Sequence, residues 1–286
     1  GIDSTVAAVL AHKAIGNLLH CVYVDTGFMR KNESKEVSEM FANLGINLKI
    51  VDATERFFDN LRGVTDPESK RKIIGEQFIR VFEEEQSICG AKYLVQGTIA
   101  PDWIESGGGE RDTIKSHHNV GGLPEDVDLI IVEPLREFYK DEVRKIARQL
   151  DIPSSERQPF PGPGLAVRVL GDLTVDRVEA CREACHIVET KLQSAAAAGR
   201  GDLPWQYFAA LLPVSSVGVH GDVRVYGETI VVRAVSSLDG MSARYSPIPH
   251  DVLSEISTEI TNTLKGQVNR VVYDITHKPP GTIEWE

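Results

Sequence analysis

The chain is poor in cysteine, with 4 in 286 residues, and aromatic residues make up only 7%. So few thiols exclude a small disulfide-stapled scaffold. Cys181 and Cys185 share helix spacing, but no further Cys or His pair completes a zinc pattern, so all four thiols are expected to be buried and reduced. No apolar run approaches the roughly 20 residues of a membrane span, so no membrane partner is expected. Basic charge is also scarce: 31 Lys and Arg face 42 Asp and Glu, giving a net charge of −11. That balance argues against bulk nucleic-acid binding, which neutralises phosphates with cations. It leaves room for a small anionic ligand held by a local cluster. No Gly-Lys-Ser of the Walker type occurs, which excludes an ordinary P-loop nucleotide hydrolase.

What the chain does have is an ordinary globular make-up, 42% hydrophobic and 26% charged. Apolar residues at helical spacing in 6–15 are followed by a strand-like run, 18–24, that ends at Asp25-Thr26-Gly27. Helices are expected over 33–44, stopped by Gly45, over 68–89 and over 140–150; strands are expected over 47–51, 92–96 and 129–133. Strand alternating with helix predicts an α/β fold, a parallel sheet with helices on both faces. Ligands of such sheets lie beyond the carboxyl ends of the strands, so the loops starting at Asp3, Asp25, Gly97 and Glu133 should share one rim. Residues 101–125 break the pattern. There Gly107-Gly108-Gly109 and Gly121-Gly122 bracket Lys115, His117 and His118, the composition of either a lid or a solvated loop. The proline-dense run Pro159-Phe160-Pro161-Gly162-Pro163-Gly164 fits no helix or strand interior. It marks a boundary between a first domain, 1–157, and a smaller α+β domain, 158–286. In the latter a helix is expected over 175–192 and another over 252–264, with strands over 211–219, 229–235 and 270–275.

The first residues carry the chemistry. Gly1-Ile2-Asp3-Ser4 before a helix offers N–H groups and a hydroxyl to an anion at a helix N-terminus. Asp3 repels phosphates unless Mg²⁺ bridges them. The alternative is a plain helix cap by Asp3 or Ser4. Asp102 and Glu105, three apart, share a face if the segment is helical; alone they read as a cap and a solvated acid. Asp141, Glu142 and Arg144 after Lys140 read alone as a capping and dipole arrangement. Arg168 is open between a phosphate ligand and a surface strand residue.

Collinear motifs extend the pattern over the whole chain. They are Asp25-Thr26-Gly27-Phe28-Met29-Arg30, Lys70-Arg71-Lys72-Ile73-Ile74-Gly75, Gln96-Gly97-Thr98, Pro101-Asp102-Trp103-Ile104-Glu105-Ser106 and Ile114-Lys115-Ser116-His117-His118-Asn119. Lys140-Asp141-Glu142-Val143-Arg144, the proline-dense run and Lys278-Pro279-Pro280-Gly281-Thr282-Ile283-Glu284-Trp285-Glu286 complete the set. With these the sequence resembles the synthetase part of GMP synthases, members of the N-type ATP pyrophosphatases. Gly1 onward is similar to the second half of that superfamily's Ser-Gly-Gly-x-Asp-Ser loop. The resemblance implies a C–N ligase that adenylates XMP with ATP and displaces AMP with ammonia. It implies ATP contacts at Gly1, Ile2, Asp3, Ser4, the Val24 backbone, Gly97 and Lys140, and Mg²⁺ on Asp3 with help from Asp141. Asp3, Asp102, Glu105 and Lys140 become the catalytic set, and Lys115, His117 and His118 a lid. Asp222, Arg224, Lys278, Thr282 and Glu284 match positions used for XMP, in a domain that dimerises in the family.

No Cys here has the His and Glu partners of a glutaminase. The resemblance therefore implies a glutaminase supplied either by a domain fused upstream or by a separate subunit, and a cytoplasmic enzyme. The short C-terminal half and the Gly107-Gly108-Gly109 stretch favour the separate-subunit form found in archaea. Two other readings compete: a different ATP pyrophosphatase, such as an NAD synthetase or tRNA-modifying ligase, and a non-catalytic nucleotide-binding dimer module. The acidic net charge speaks against the tRNA substrate.

Overall fold

The computed structural model describes residues 1–105, 130–153, 157–237 and 240–286, and the side chains of 103–105 fall outside that description. It is a mixed α/β protein with parallel strand pairs and helices. The chain divides into two compact units. The first holds 1–27, 32–60 and 71–163; the second holds 28–31, 61–70 and 164–286. The division falls inside the proline-dense run, and the second unit also takes in two short segments from the amino-terminal half.

In the first unit, helix α1 (Ile2–Ile15) leads to strand β1 (Cys21–Asp25). Helix α2 (Glu33–Asn43) returns the chain to β2 (Leu48–Asp52), which pairs parallel with β1 from Cys21↔Leu48 to Asp25↔Asp52. A short helix, α3 (Thr54–Leu61), was not expected from the sequence, although its Thr54 N–H donates to Asp52 Oδ1 at 3.0 Å. Phe57 and Leu61, four apart, are its fully buried positions. Helix α4 (Pro67–Cys89) precedes β3 (Tyr93–Val95), which pairs parallel with β4 (Ile130–Val132). Helix α5 (Ala100–Glu105) follows β3, and α6 (Lys140–Gln149) follows β4. The expected single sheet is thus two parallel pairs, and among the described residues no strand bridges β1 to β3. The core joins Val6 and Val9 of α1, Phe41 of α2, and Val143 and Ala147 of α6. Their i, i+3 and i, i+4 spacings put each set on one helix face.

The second unit is built on a long hairpin, β5 (Gln206–His220) and β6 (Val223–Ser236), in antiparallel register from Gln206↔Val235 to His220↔Val223. The register shifts between Leu212 and Ser215, around Pro213, where a missing N–H costs no ladder bond. Strand β7 (Arg244–Tyr245) extends the sheet beside Val235 and Ser236, and β8 (Val268–Asp274) runs parallel to β6. Helix α7 (Val175–Ala197), capped by Thr174, buries Val178, Cys181, Cys185, Val188 and Leu192 as one stripe. Helix α8 (His250–Thr263) buries Val252, Ile256 and Ile260. Gly164, at φ +67, opens a turn over 164–167; a Cβ there would meet the Phe28 carbonyl oxygen at 2.3 Å, so only glycine permits that approach. No helix among the described residues is long and apolar enough to cross a membrane.

Candidate functional site at the α1 N-terminus and the C-terminal tail

Helix α1 begins at Ile2, so Asp3 and Ser4 lie in its first turn rather than in a loop before it. Gly1 is the cap residue, and no side chain caps the helix, which sets aside the reading of Asp3 or Ser4 as a helix cap. The first-turn N–H groups of a helix have no partner within the helix, and here no side chain caps them. The loop after β3 comes close to this turn. A Cβ on Gly97 would sit 2.7 Å from the Ser4 nitrogen and 2.8 Å from the Asp3 carbonyl carbon. The Ala100 N–H donates to the Phe138 carbonyl at 2.9 Å, which draws the start of α6 to the same rim. There Lys140 donates to Asp3 Oδ2 at 2.5 Å. The structure therefore brings Asp3, Ser4, Gly97 and Lys140 together.

The Asp3–Lys140 pair is open: the two side chains are 25% and 42% exposed. Asp3 Oδ1, by contrast, is buried and has no hydrogen-bond partner among the described residues. A buried carboxylate oxygen without a donor is costly. A divalent cation is one group that removes that cost, and Mg²⁺ takes one or two carboxylates plus phosphate oxygens and water. Asp3 fits that role. Asp141 does not: it is 72% exposed and accepts from Lys145 one turn on, at 3.3 Å, so the dipole reading holds for it. Among the described residues no three Asp, Glu, His or Cys side chains converge as a metal cluster.

Asp102 also turns out to have a local partner. Its Oδ2 accepts from the Ile99 N–H at 2.9 Å, at the start of α5. That is the capping role its spacing alone suggested. The Glu105 side chain and Lys115, His117 and His118 lie outside the described residues. Val24 is buried in β1, opposite Val51. Asp25, read in the sequence as the start of a rim loop but given no role of its own, organises the end of that strand: Gly27 N–H reaches its Oδ1 at 3.0 Å and Ser34 Oγ its Oδ2 at 2.5 Å.

The residues matched to XMP fall into two groups. Lys278 is tied to Ala243 by two backbone hydrogen bonds, 3.0 and 2.8 Å, and its ammonium donates to the Gly240 carbonyl at 2.9 Å. The Thr282 hydroxyl donates to the Glu284 carbonyl. Glu284 accepts two bonds from Arg168, 3.0 and 2.8 Å, and one from Gln206 at 2.8 Å. Arg168 is therefore not a surface strand residue: it is 1% exposed. Its guanidinium also lies 4.0 Å from the centroid of the Phe208 ring. Asp222 and Arg224 sit elsewhere, at the turn of the β5–β6 hairpin. Some dozen residues of β6 separate Arg224 from the tail end of the sheet, about 40 Å at the usual rise per strand residue. One chain thus does not bring all five together.

Of the thiols, Cys181 and Cys185 are buried and both donate to the Ala209 carbonyl, while Cys89 is exposed, contrary to expectation. The neighbouring Cys185 and burial push the Cys181 thiol up, which suits a packed residue rather than a nucleophile.

An α/β unit whose helix N-terminus, carboxylate and lysine converge at the strand ends is a nucleotide-binding architecture of the anion-at-helix-terminus kind. Comparison with known proteins is specific. Residues 193–285 match the family described as GMP synthase C terminal domain. Over its whole length the chain is 57% identical to a protein of Thermococcus kodakarensis that is named as one subunit of a glutamine-hydrolyzing GMP synthase, and it covers 91% of that protein. It is 53% identical to the like-named subunit of Thermoplasma volcanium, again covering 91%. It is 56% identical to the glutamine-hydrolyzing GMP synthase of Thermotoga petrophila, covering 57% of that longer protein. The chain belongs to the GMP synthase family of ligases.

Proposed function

We propose that this chain catalyses the ATP-dependent amination of XMP to GMP, with ammonia delivered by a separate glutaminase subunit. The observation that carries the reading is the α1 N-terminus: a first turn that no side chain caps, an open Asp3–Lys140 pair, and a buried Asp3 oxygen lacking a donor among the described residues. The purine C2 oxygen of XMP attacks the α-phosphorus of ATP, and the bond to pyrophosphate breaks. The first-turn N–H groups and Ser4 hold the leaving pyrophosphate, and Lys140 turns from Asp3 to neutralise its growing charge. Mg²⁺, when bound at Asp3, supplies charge neutralisation to the phosphates. Ammonia then forms the C–N bond at C2, the C–O bond to AMP breaks, and a proton is lost. Gly97 keeps the rim narrow enough for backbone donors to reach the phosphates.

The separation of Asp222 and Arg224 from Lys278, Thr282 and Glu284 supports a homodimer in which the hairpin end of one copy serves the tail of the other. Val217, Val219 and Tyr226 near that hairpin end are exposed, an apolar surface suited to a second copy. The test is direct. The chain, XMP, ATP, Mg²⁺ and ammonium should yield GMP, AMP and pyrophosphate in equal amounts. No GMP with XMP, or product with nicotinate adenine dinucleotide instead, would refute the reading. Mixing an Arg224→Ala chain with a Lys278→Ala chain should restore part of the activity that each lacks; no restoration would refute the shared site.

A further inference from the structure

The C-terminal tail is anchored by side chains to which the chemistry assigns no role. Lys70, Arg168 and Arg233 of the second unit are all buried cations. Each turns at least one donor toward residues 274–286. Lys70 Nζ donates to Glu286 Oε2 at 2.5 Å, to the Val169 carbonyl at 2.8 Å and to the Ala166 carbonyl at 3.3 Å. An ammonium has three hydrogens, and all three are accounted for. Arg168 grips Glu284 with two parallel bonds, the strongest geometry open to that pair. Arg233 donates to the Thr276 and Thr282 carbonyls, the latter at 3.0 Å, and lies 3.3 Å from Asp274. Glu286 also accepts from the Gly171 N–H at 3.2 Å.

These pairs behave as latches because of where the cations are. If the tail lifts, Glu284 and Glu286 re-enter water, while Lys70 and Arg168 lose the carboxylates that these two residues bring to them. Leaving a buried charge unpaired costs far more than the pair itself is worth. Burial already pushes the Lys70 ammonium down, against the pull of Glu286, so it depends on that partner. The docked tail is thereby favoured over a range of loose ones. Lys278, Thr282 and Glu284 all lie on the segment so fixed.

We propose that Lys70 and Arg168 are positioning residues for XMP: acting through Glu286 and Glu284, they hold the tail in the geometry that binds the nucleotide, and neither touches it. This rests on the assignment of the tail to XMP under the proposed function. The apparent affinity for XMP then scales with the fraction of chains whose tail is docked. ATP, held at the α1 N-terminus, is indifferent to that fraction.

The experiment uses the full chain with ammonium as the nitrogen source. Arg168→Met and Lys70→Met should each raise KM for XMP about tenfold or more if the docked fraction falls to about a tenth. The kcat at saturating XMP and KM for ATP should stay near wild type. Carboxypeptidase should release Glu286 and Trp285 faster from both variants. The double variant Lys70→Met/Glu286→Met removes the buried charge along with its partner, so it folds yet keeps the high XMP KM. Lys70→Arg, which retains charge, should recover part of the affinity. Variants with unchanged XMP KM in an active wild-type background would overturn the positioning role alone. So would an equal rise in both KM values, the mark of general damage. A wild-type chain that makes no GMP would instead overturn the proposed function, while the digestion still reports whether the tail is latched.

Discussion

Two carboxylate–cation contacts are built in opposite ways in this protein. Asp3–Lys140, in the first unit, is half open to solvent and leaves one acid oxygen without a donor. Glu284–Arg168, in the second, is closed: the guanidinium is buried, the contact is bidentate, and Gln206 adds a further donor. An exposed pair contributes little to stability, so its members can change partners cheaply when a polyanion arrives. A buried pair cannot be parted without stranding a charge. Exposure, rather than distance, thus separates an ion pair fit for chemistry from one fit for holding a segment. Both contacts are short, and distance alone would have classed them together.

Arg168→Met should break that contrast most severely. It leaves Glu284 without its bidentate partner and should lower unfolding stability of the second unit by about 3–5 kcal/mol, the range for removing one member of a buried pair, read by denaturant titration. A loss under about 1 kcal/mol would place this pair with the exposed ones. Lys140→Met should do the reverse. Stability should move by no more than about 1 kcal/mol. Pyrophosphate release should fall 10²- to 10³-fold, about 2.7–4 kcal/mol of barrier, as when a preorganised charge stabiliser is removed. A large stability loss with unaltered turnover would show the Asp3 pair to be structural.

Gly97→Ala tests whether the open pair needs its tight rim. The new Cβ would press on backbone atoms of Asp3 and Ser4, none of which can rotate away. Overpacking of that kind costs about 1–3 kcal/mol, and here the shift falls on the first turn of α1. Melting temperature should drop, and KM for ATP should rise with KM for XMP unchanged. An alanine variant with wild-type ATP kinetics would mean that the approach of this loop has no part in phosphate binding.

Much of this is legible in the residues. Helical spacing and turn residues place α2, α6 and α8 within a residue or two, because each has a one-sided apolar stripe and a clear stop. Strand β5 begins at Gln206, five residues before the expected start, since Ala209 and Ala210 dilute the apolar signal that burial alone makes decisive. Asp3, Gly97 and Lys140 stand out through motif resemblance, and their convergence needs the fold. Lys70 is hidden inside Lys70-Arg71-Lys72, which looks like a solvated charge run. A signal is present: Lys70 stands four residues before Ile74 and eight before Phe78, on the apolar stripe of α4. Arg168 offers no such cue, because its partner Glu284 lies 116 residues away in sequence. Asp102 shows the opposite lesson: its local capping bond is readable from spacing, and the structure bears out that modest role.

Asp52 supplies the smallest test, and it bounds the comparison from below. It is an exposed carboxylate whose described partner is a backbone N–H, that of Thr54 at the start of α3. That hydrogen bond holds its carboxyl below the usual carboxylate range. A folded-state value below the unfolded one means that the folded chain binds fewer protons between the two. The stabilisation is therefore complete above the unfolded value, about 3.9, and is lost as pH falls through the folded value beneath it. Asp52→Ala should cost about 0.5–1 kcal/mol near neutrality, the range for a weak cap. The two melting curves should converge once the acid is protonated. Curves that stay apart below the folded value would mean that Asp52 acts through packing rather than as the acceptor at the start of α3.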